Sequence, residues 1–268
     1  MTSLSVLTQA TQFPHVASTP EIEIADTKYV VRLARGVEEI DAALKLRFEV
    51  FNLELEEGLD SSFQTGRDRD EFDATCHHLI AMEKTNLKVV GTYRLRTIEM
   101  AGTAEGFYSS AEFDLNQLAP AVLNQSVELG RACIAQNHRN RQVLFLLWKA
   151  LARYVANRRK RFLFGCCSLT SQVPAEGNQL LNQLRKNDQM HPTAFVSVMP
   201  GYECSGNDSE NAWPIEVKLP RLFGTYLGIG AKVCSPPAID RRFKTIDFLV
   251  MFDVQGMGPR TRRLFFDV

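Results

Sequence analysis

The chain has 268 residues, enough to bury a substantial core. Hydrophobic residues make up 45% of it and charged residues 23%, a composition that excludes a disordered chain. The 31 basic residues balance the 31 acidic ones, so no global cationic field draws it to nucleic acid, and no apolar run reaches the roughly 18 residues of a membrane span.

Residues 1–26 are rich in Ser, Thr, Gln and Pro and lack the basic start and compact apolar core of a secretory signal, so they read as a mobile leader. Residues 27–268 then form one domain, with an extension from about residue 200. "KYVVRLA" from Lys28 is β-branched and aromatic, the pattern of a strand. Ile40, Ala43, Leu44, Leu46, Val50, Phe51 and Leu53 recur near helical spacing and predict a helix. The polar "GLDSSFQTGRDRDEFDAT" is a loop. "HHLIAME" and "KVVGTYRLRTI" are strands of a hairpin, followed by turns and a short helical piece to Ser126. "VELGRACIA" from Val127 is a strand. Val143, Leu146, Leu147, Ala150, Leu151 and Tyr154 mark the clearest helix of the chain. "RFLFGCCSL" is a buried strand, "PAEGNQLLNQLRKND" a helix, "PRLFGTYLGIG" a short helix and "TIDFLVMFDV" a last strand. This order, with strands mostly before the long helix, describes an α/β (α+β) protein: a mixed central sheet with helices on both faces.

Charge is unevenly placed. Nine acidic and two basic residues lie between Glu49 and Asp73, whereas Leu129 to Ala175 holds nine basic residues and no acidic one. Each run is a solvated face or a wall facing an oppositely charged partner. Six cysteines without C-x-x-C spacing fit buried, reduced thiols in a cytoplasmic protein. The pair His77–His78 has no ligand partner nearby, so no metal site is expected.

"VELGRACIA" places Glu128 and Arg131 in an apolar strand. Regular alternation puts them on opposite faces. Gly130 between them suggests a β-bulge, which resets the alternation and turns both to one side. A bulge also frees main-chain N–H groups near Cys133. Asp70 and Asp73 before a strand, Arg94 within one and Arg47 on an apolar helix face add charges that must find partners, because an unpaired buried charge is costly.

Taken together, "LRFEVF", "DRDEFDATCHHLIAM", "VVGTYRLR", "GFYSSAEFDL", "ELGRACI" and "LLWKALARYV" resemble the bacterial ornithine N-acyltransferases. That family is GNAT-like and similar to the acyl-homoserine-lactone synthases and N-acyl amino acid synthases. The shared elements are R-x-x-x-F at Arg47 and Phe51, D-x-F-D at Asp70, Phe72 and Asp73, and E-x-x-R at Glu128 and Arg131. The resemblance implies a GNAT-like fold and transfer of a long-chain, 3-hydroxy acyl group from acyl carrier protein to the α-amine of an amino acid, ornithine first. Synthesis of another N-acyl amino acid or of a lactone signal is the alternative, and a non-catalytic acyl-binding module the distant one.

The resemblance implies no permanently bound cofactor; the phosphopantetheine of the carrier protein carries the donor. GNAT enzymes place a Gly-rich loop at a helix start to cradle a pyrophosphate. The same place here reads "QNHRNRQVL", so Arg139 and Arg141 are expected to contact the phosphopantetheine phosphate or the carrier protein instead. Glu128 is the expected general base, since the attacking amine must lose a proton. Backbone around Cys133, Ile134 and Ala135 is expected to hold the oxyanion or the pantetheine. Arg47, Phe51, Asp70, Phe72, Asp73, Arg94 and Arg131 are expected to shape the acceptor site. Glu54, Glu56 and Glu57 read as a solvated helix end, with contact to a side-chain ammonium of the acceptor as the alternative. Phe265 and Phe266, near Arg260, Arg262 and Arg263, suggest peripheral contact with the inner membrane face.

Overall fold

A computed structural model of the protein describes residues 19–205 and 216–266. Residues 1–18 of the expected leader lie outside the described residues. The end of that leader already belongs to the sheet: β1 (Glu23–Ala25) pairs antiparallel with β2 (Tyr29–Leu33). Three residues leave little periodicity to read, and the β2 edge is what orders them.

The hairpin of β3 (His77–Glu83) and β4 (Val89–Thr97) follows, then β5 (Ser126–Ile134) and β6 (Phe162–Leu169). Beyond residue 200 the chain returns to the same sheet through β7 (Lys232–Val233), β8 (Ala238–Asp240) and β9 (Thr245–Asp253). The order is β1-β2-β3-β4-β5-β6-β9-β7, with β8 also on β9. Among the described strands only β5 and β6 run parallel. A parallel neighbour needs a crossover, and the long helix of the sequence supplies it.

Two helices cover opposite faces. In β3, Leu79 and Ala81 pack in one apolar cluster with α2 (Arg141–Asn157) through Val143, Leu147 and Tyr154. Ile80 and Met82, one residue out of phase, pack with Ile40, Ala43 and Leu44 of α1 (Val37–Phe48). Strand alternation thus assigns each helix its face. Helices α3 (Pro174–Lys186) and α4 (Arg221–Gly228) add Leu180, Leu184 and Phe223 to the α2 side.

The last helix, α5 (Pro259–Phe265), presses Phe265 against Trp148, with ring centroids 5.5 Å apart. The aromatic pair at the C-terminal end therefore faces the core rather than solvent; Arg260, Arg262, Arg263 and Leu264 remain exposed. Among the described residues no helix is long and apolar enough to cross a membrane.

Candidate active site

The pairing of β5 with β6 covers only Ser126–Glu128 against Phe162–Phe164. One step further the two chains touch at a single point. A Cβ on Gly165 would lie 2.2 Å from the Leu129 carbonyl oxygen, so only glycine fits there. The strands then part. The split joins the two faces of the sheet and opens a cavity of about 560 Å³, the size of a small-molecule site.

On the α2–α4 side the cavity lining is apolar and aromatic: Leu144, Trp148, Leu163, Phe223, Tyr226 and Phe252. Tyr93 closes this side with a 2.6 Å hydrogen bond between its hydroxyl and that of Tyr226. On the α1 side the lining is polar and includes Glu57, Arg94, Tyr108, Glu128, Arg131, Ser168, Thr170 and Asp247. Arg139, Asn140 and Arg141, at the start of α2, also line it, as does Arg221 of α4. Asn140 caps α2 by accepting a 3.0 Å hydrogen bond from Val143 N–H, and the first turn of the helix faces the cavity.

The bulge in β5 is present. Between Thr92↔Cys133 and Arg94↔Gly130 the β5 strand uses one more residue than β4. The left-handed residue is Arg131, with φ 49°, and not Gly130. Glu128 and Arg131 consequently meet the same residue. The carboxylate accepts from Tyr108 N–H (3.0 Å), Ser109 N–H (2.8 Å) and the Ser109 hydroxyl (2.7 Å). The Arg131 guanidinium lies 4.8 Å from the Tyr108 ring centre and 4.3 Å from that of Phe243.

Past the bulge, Ala135 N–H is used on Val90 O (2.8 Å), which removes it from the expected donors, and Ala135 does not line the cavity. The Ile134 carbonyl points away from β4 and accepts from Arg139 Nε (2.9 Å). By ladder alternation the Ile134 N–H lies on that same open edge, toward β6. Cys133 lines the cavity, with its thiol pushed up to about 12 by burial.

Three arginines and three aspartates interlock beside the bulge. Arg47 bonds Asp68 and Asp73 at 2.7 Å each. Arg94 bonds Asp70 at 2.5 Å and Asp73 at 3.0 Å. Arg131 reaches Asp68 and Asp70 at 3.1 Å each. Burial alone would raise the carboxyls, but the Arg47 charge together with those of Arg131 and Arg94 outweighs it and holds Asp68 and Asp73 below their usual range. The sequence reading found five of the six. Asp68, fully buried, was missed, although "RDRD" carries the signal: in an extended segment Asp68 and Asp70 turn inward, while Arg67 turns out to Asp41.

Of the residues expected at the acceptor, Phe51, Arg94 and Arg131 line the cavity. Arg47, Asp70, Phe72 and Asp73 do not; they hold the loop before β3 against the sheet. Phe72 lies under the guanidinia of Arg94 and Arg96. His77 and His78 are packed, bonded to the Tyr154 hydroxyl and the Asp73 carbonyl at 2.9 Å each. Arg139 is held in a two-point ion pair by Glu54.

Glu57 departs furthest from expectation. After α1 the helix widens into a π turn, Glu49–Glu54. Glu56 and Gly58 then take left-handed backbone, and a Cβ on Gly58 would strike Asn52 at 2.7 Å. That reversal turns Glu57 inward, where it is 6% exposed and accepts a hydrogen bond from the Thr170 hydroxyl. Burial pushes its carboxyl up to about 7.

A parallel strand pair that parts above a helix N-terminus, over a cavity lined on one side by apolar groups and on the other by acids, guanidinia and hydroxyls, is the arrangement of a GNAT acyltransferase. A family model described as an acetyltransferase (GNAT) domain matches residues 46–149. The chain is 31% identical over 243 residues to the L-ornithine N(alpha)-acyltransferase of Brucella abortus (strain 2308), covering 86% of each chain. It is also 31% identical over 250 residues to that of Rhodobacter capsulatus, covering 90% of this chain and 96% of the relative. The chain belongs to the L-ornithine N(alpha)-acyltransferase family and is an acyltransferase. Among solved structures, the AHL synthase LasI is 13% identical with a TM-score of 0.48, over 89% of this chain and 95% of that chain.

Proposed function

We propose that the protein transfers a long-chain, 3-hydroxylated acyl group from the phosphopantetheine thioester of acyl carrier protein to the α-amine of ornithine. The observation that carries this reading is the split between β5 and β6, with its one apolar and one acidic side. The acyl chain lies against Trp148, Leu163, Tyr226 and Phe252; burying it stabilises the complex by roughly 0.8 kcal/mol per methylene. The pantetheine arm runs along the open edge of β5, and its phosphate meets the first turn of α2 with Arg141 and Arg221, both exposed. The same exposed arginines face the acidic carrier protein.

In the chemical step Glu128 takes the ammonium proton, directly or through one water, and the amine nitrogen bonds to the thioester carbonyl carbon. The C–S bond then breaks as the nitrogen gives up a second proton, which converts the leaving sulfur to the thiol. The Ile134 N–H stabilises the oxyanion. The three donors from Tyr108 and Ser109 fix the Glu128 carboxylate at the neck of the split. The exposed Arg260, Arg262 and Arg263 beside Leu264 suit contact with an anionic membrane surface, where an apolar product departs.

The test is amide formation from purified protein, 3-hydroxyacyl carrier protein and ornithine, read by mass spectrometry. The unaltered protein makes the amide, and Glu128→Gln lowers kcat by about 10²–10⁴-fold. Amide formation by Glu128→Gln at the unaltered rate overturns the base assignment; no amide from the unaltered protein overturns the reaction.

A further inference from the structure

The acidic side of the cavity contains a second set of buried carboxylates, and this set has no cation of its own. Glu57, Glu112 and Asp247 are each no more than 6% exposed. Among the described residues none of them forms an ion pair. Glu112 and Asp247 hydrogen-bond to each other through their side chains, acid to acid, with no cation between them. Asp247, on β9 opposite Ser168 of β6, lines the cavity, as does Glu57. The ligating atoms of Glu112, Asp247 and Cys166 lie within 4.8 Å of one another.

The set is joined to the neck of the split. The Ser109 hydroxyl donates to Glu128 and accepts from Cys166 Sγ at 3.5 Å. The nearest guanidinium, Arg131, is already committed to Asp68 and Asp70.

We propose that Glu57 and Asp247, backed by Glu112, form the subsite for the side-chain ammonium of a dibasic amino acid, and so select that acceptor over one with a neutral side chain. The inference deepens the reaction proposed above and rests on it. A buried carboxylate without a counter-charge is costly, and a cation arriving with the substrate removes that cost at the moment of binding. Until then burial keeps protons on the set: Glu57 is pushed up to about 7 and Asp247 to about 6, with Glu112 well above its usual range, its charge opposed by that of Asp247. The other groups facing the set are Asp240, Cys166, Tyr108 and Arg131, besides the hydroxyls of Ser168, Thr170 and Thr245. The cysteine is protonated, its thiol held well above the usual value by burial.

Ornithine and norvaline separate the possibilities, because they share a carbon skeleton and differ only in the terminal amine. With long-chain acyl carrier protein as donor, the unaltered protein prefers ornithine in kcat/KM by about 100-fold or more. Glu57→Gln and Asp247→Asn each cut that preference by about 30-fold, mainly through a higher KM for ornithine. Melting curves check folding; both variants replace an uncompensated buried acid with a neutral isostere, so neither is expected to melt earlier. Titration calorimetry at pH 6.5 in buffers of different ionisation enthalpy shows release of about one proton on binding ornithine and none on binding norvaline.

Equal use of ornithine and norvaline by the unaltered protein, or an unchanged preference in both variants, overturns the proposal. So does an equal loss of kcat on both acceptors, which makes the set a base rather than a subsite. Failure of the unaltered protein to acylate any amino acid sinks the proposed reaction instead, and the calorimetric proton count still decides whether the set takes an ammonium.

Discussion

Two groups of buried carboxylates stand near the same cavity and are treated oppositely by the fold. Asp68, Asp70 and Asp73 share three arginines, and every one of them is ion-paired. Glu57, Glu112 and Asp247 share hydroxyls, one thiol and a hydrogen bond between two of the acids, and among the described residues no cation pairs with any of them. The first group is electrically complete and does not line the cavity; the second is incomplete and does, through Glu57 and Asp247. Completeness marks a frame, and a missing counter-charge beside a cavity marks a place where a ligand supplies one.

The sharpest way to break the comparison is to unbalance the complete group. Asp73→Asn leaves Arg47 and Arg94 each short of a partner at 1% and 4% exposure. Breaking a buried pair this way costs about 3–5 kcal/mol, a large part of the stability of an ordinary domain. Urea denaturation measures it. A loss under about 1 kcal/mol would show that water enters the network and that it is no frame.

The neck between the groups comes next. Gly165→Ala brings a methyl to within 2.2 Å of the Leu129 carbonyl, and backbone must move. Overpacking of this kind costs about 1–3 kcal/mol. The shift displaces Glu128 at the last rung of the ladder, so amide formation falls further than stability does. An alanine variant with full activity would mean that the split widens freely and that its geometry does not position the base.

These two sites differ in how they announce themselves in sequence. Glu128 and Arg131 stand out because charges interrupt an apolar strand, and the bulge follows from the same stretch. The residue that carries the left-handed backbone is Arg131, since the glycine alone does not say where the strand kinks. The arginine–aspartate network was legible in type, through charges that had to pair, but the inward turn of Asp68 depends on the loop being extended. Asp247 shows the signal of Glu128, a carboxylate inside "TIDFLVMF", yet its significance comes from Glu112 and Cys166, distant in sequence and adjacent only through the sheet. Glu57 reads as part of a solvated helix end because it follows the last apolar residues of the helical spacing in a run of acids. The π turn and the left-handed Glu56 that bury it are tertiary effects. Strands of two or three residues, such as β1 and β7, carry too few side chains for a period to be seen.

Acid titration sharpens the comparison at a smaller amplitude. Asp68 and Asp73 have depressed folded-state values, so their contribution is full above about pH 4 and is lost as pH falls through those values. Glu57 and Asp247 run the other way. Their folded values are about 7 and 6, against about 4 unfolded, so the folded chain binds more protons between pH 4 and 7. Their contribution is full below about pH 4 and is lost as pH rises through 6 and 7. Stability of the free protein therefore declines from pH 5 to pH 8, by up to about 1.4 kcal/mol per pH unit for each proton involved. The double variant Glu57→Gln, Asp247→Asn reduces that decline to the part Glu112 contributes and leaves the acid limb in place. A decline that survives both substitutions undiminished assigns it to another group.

The smallest effect on stability is expected at the cavity rim, where charge is exposed rather than buried. Arg141 and Arg221 have no ion-pair partner among the described residues, whereas Arg139 is held by Glu54. Reversing Arg141 and Arg221 to Glu changes unfolding free energy by no more than about 0.5 kcal/mol, as surface changes usually do. The same change weakens the attraction for an acidic carrier protein: KM for the acyl carrier protein rises about tenfold at low salt, and the difference shrinks as ionic strength shortens the screening length. KM for ornithine stays where it was, because the ammonium subsite lies on the buried side of the cavity. Equal rises in both Michaelis constants would mean that rim and interior are not separate, and that the exposed arginines act on the acceptor through the same field as the buried acids.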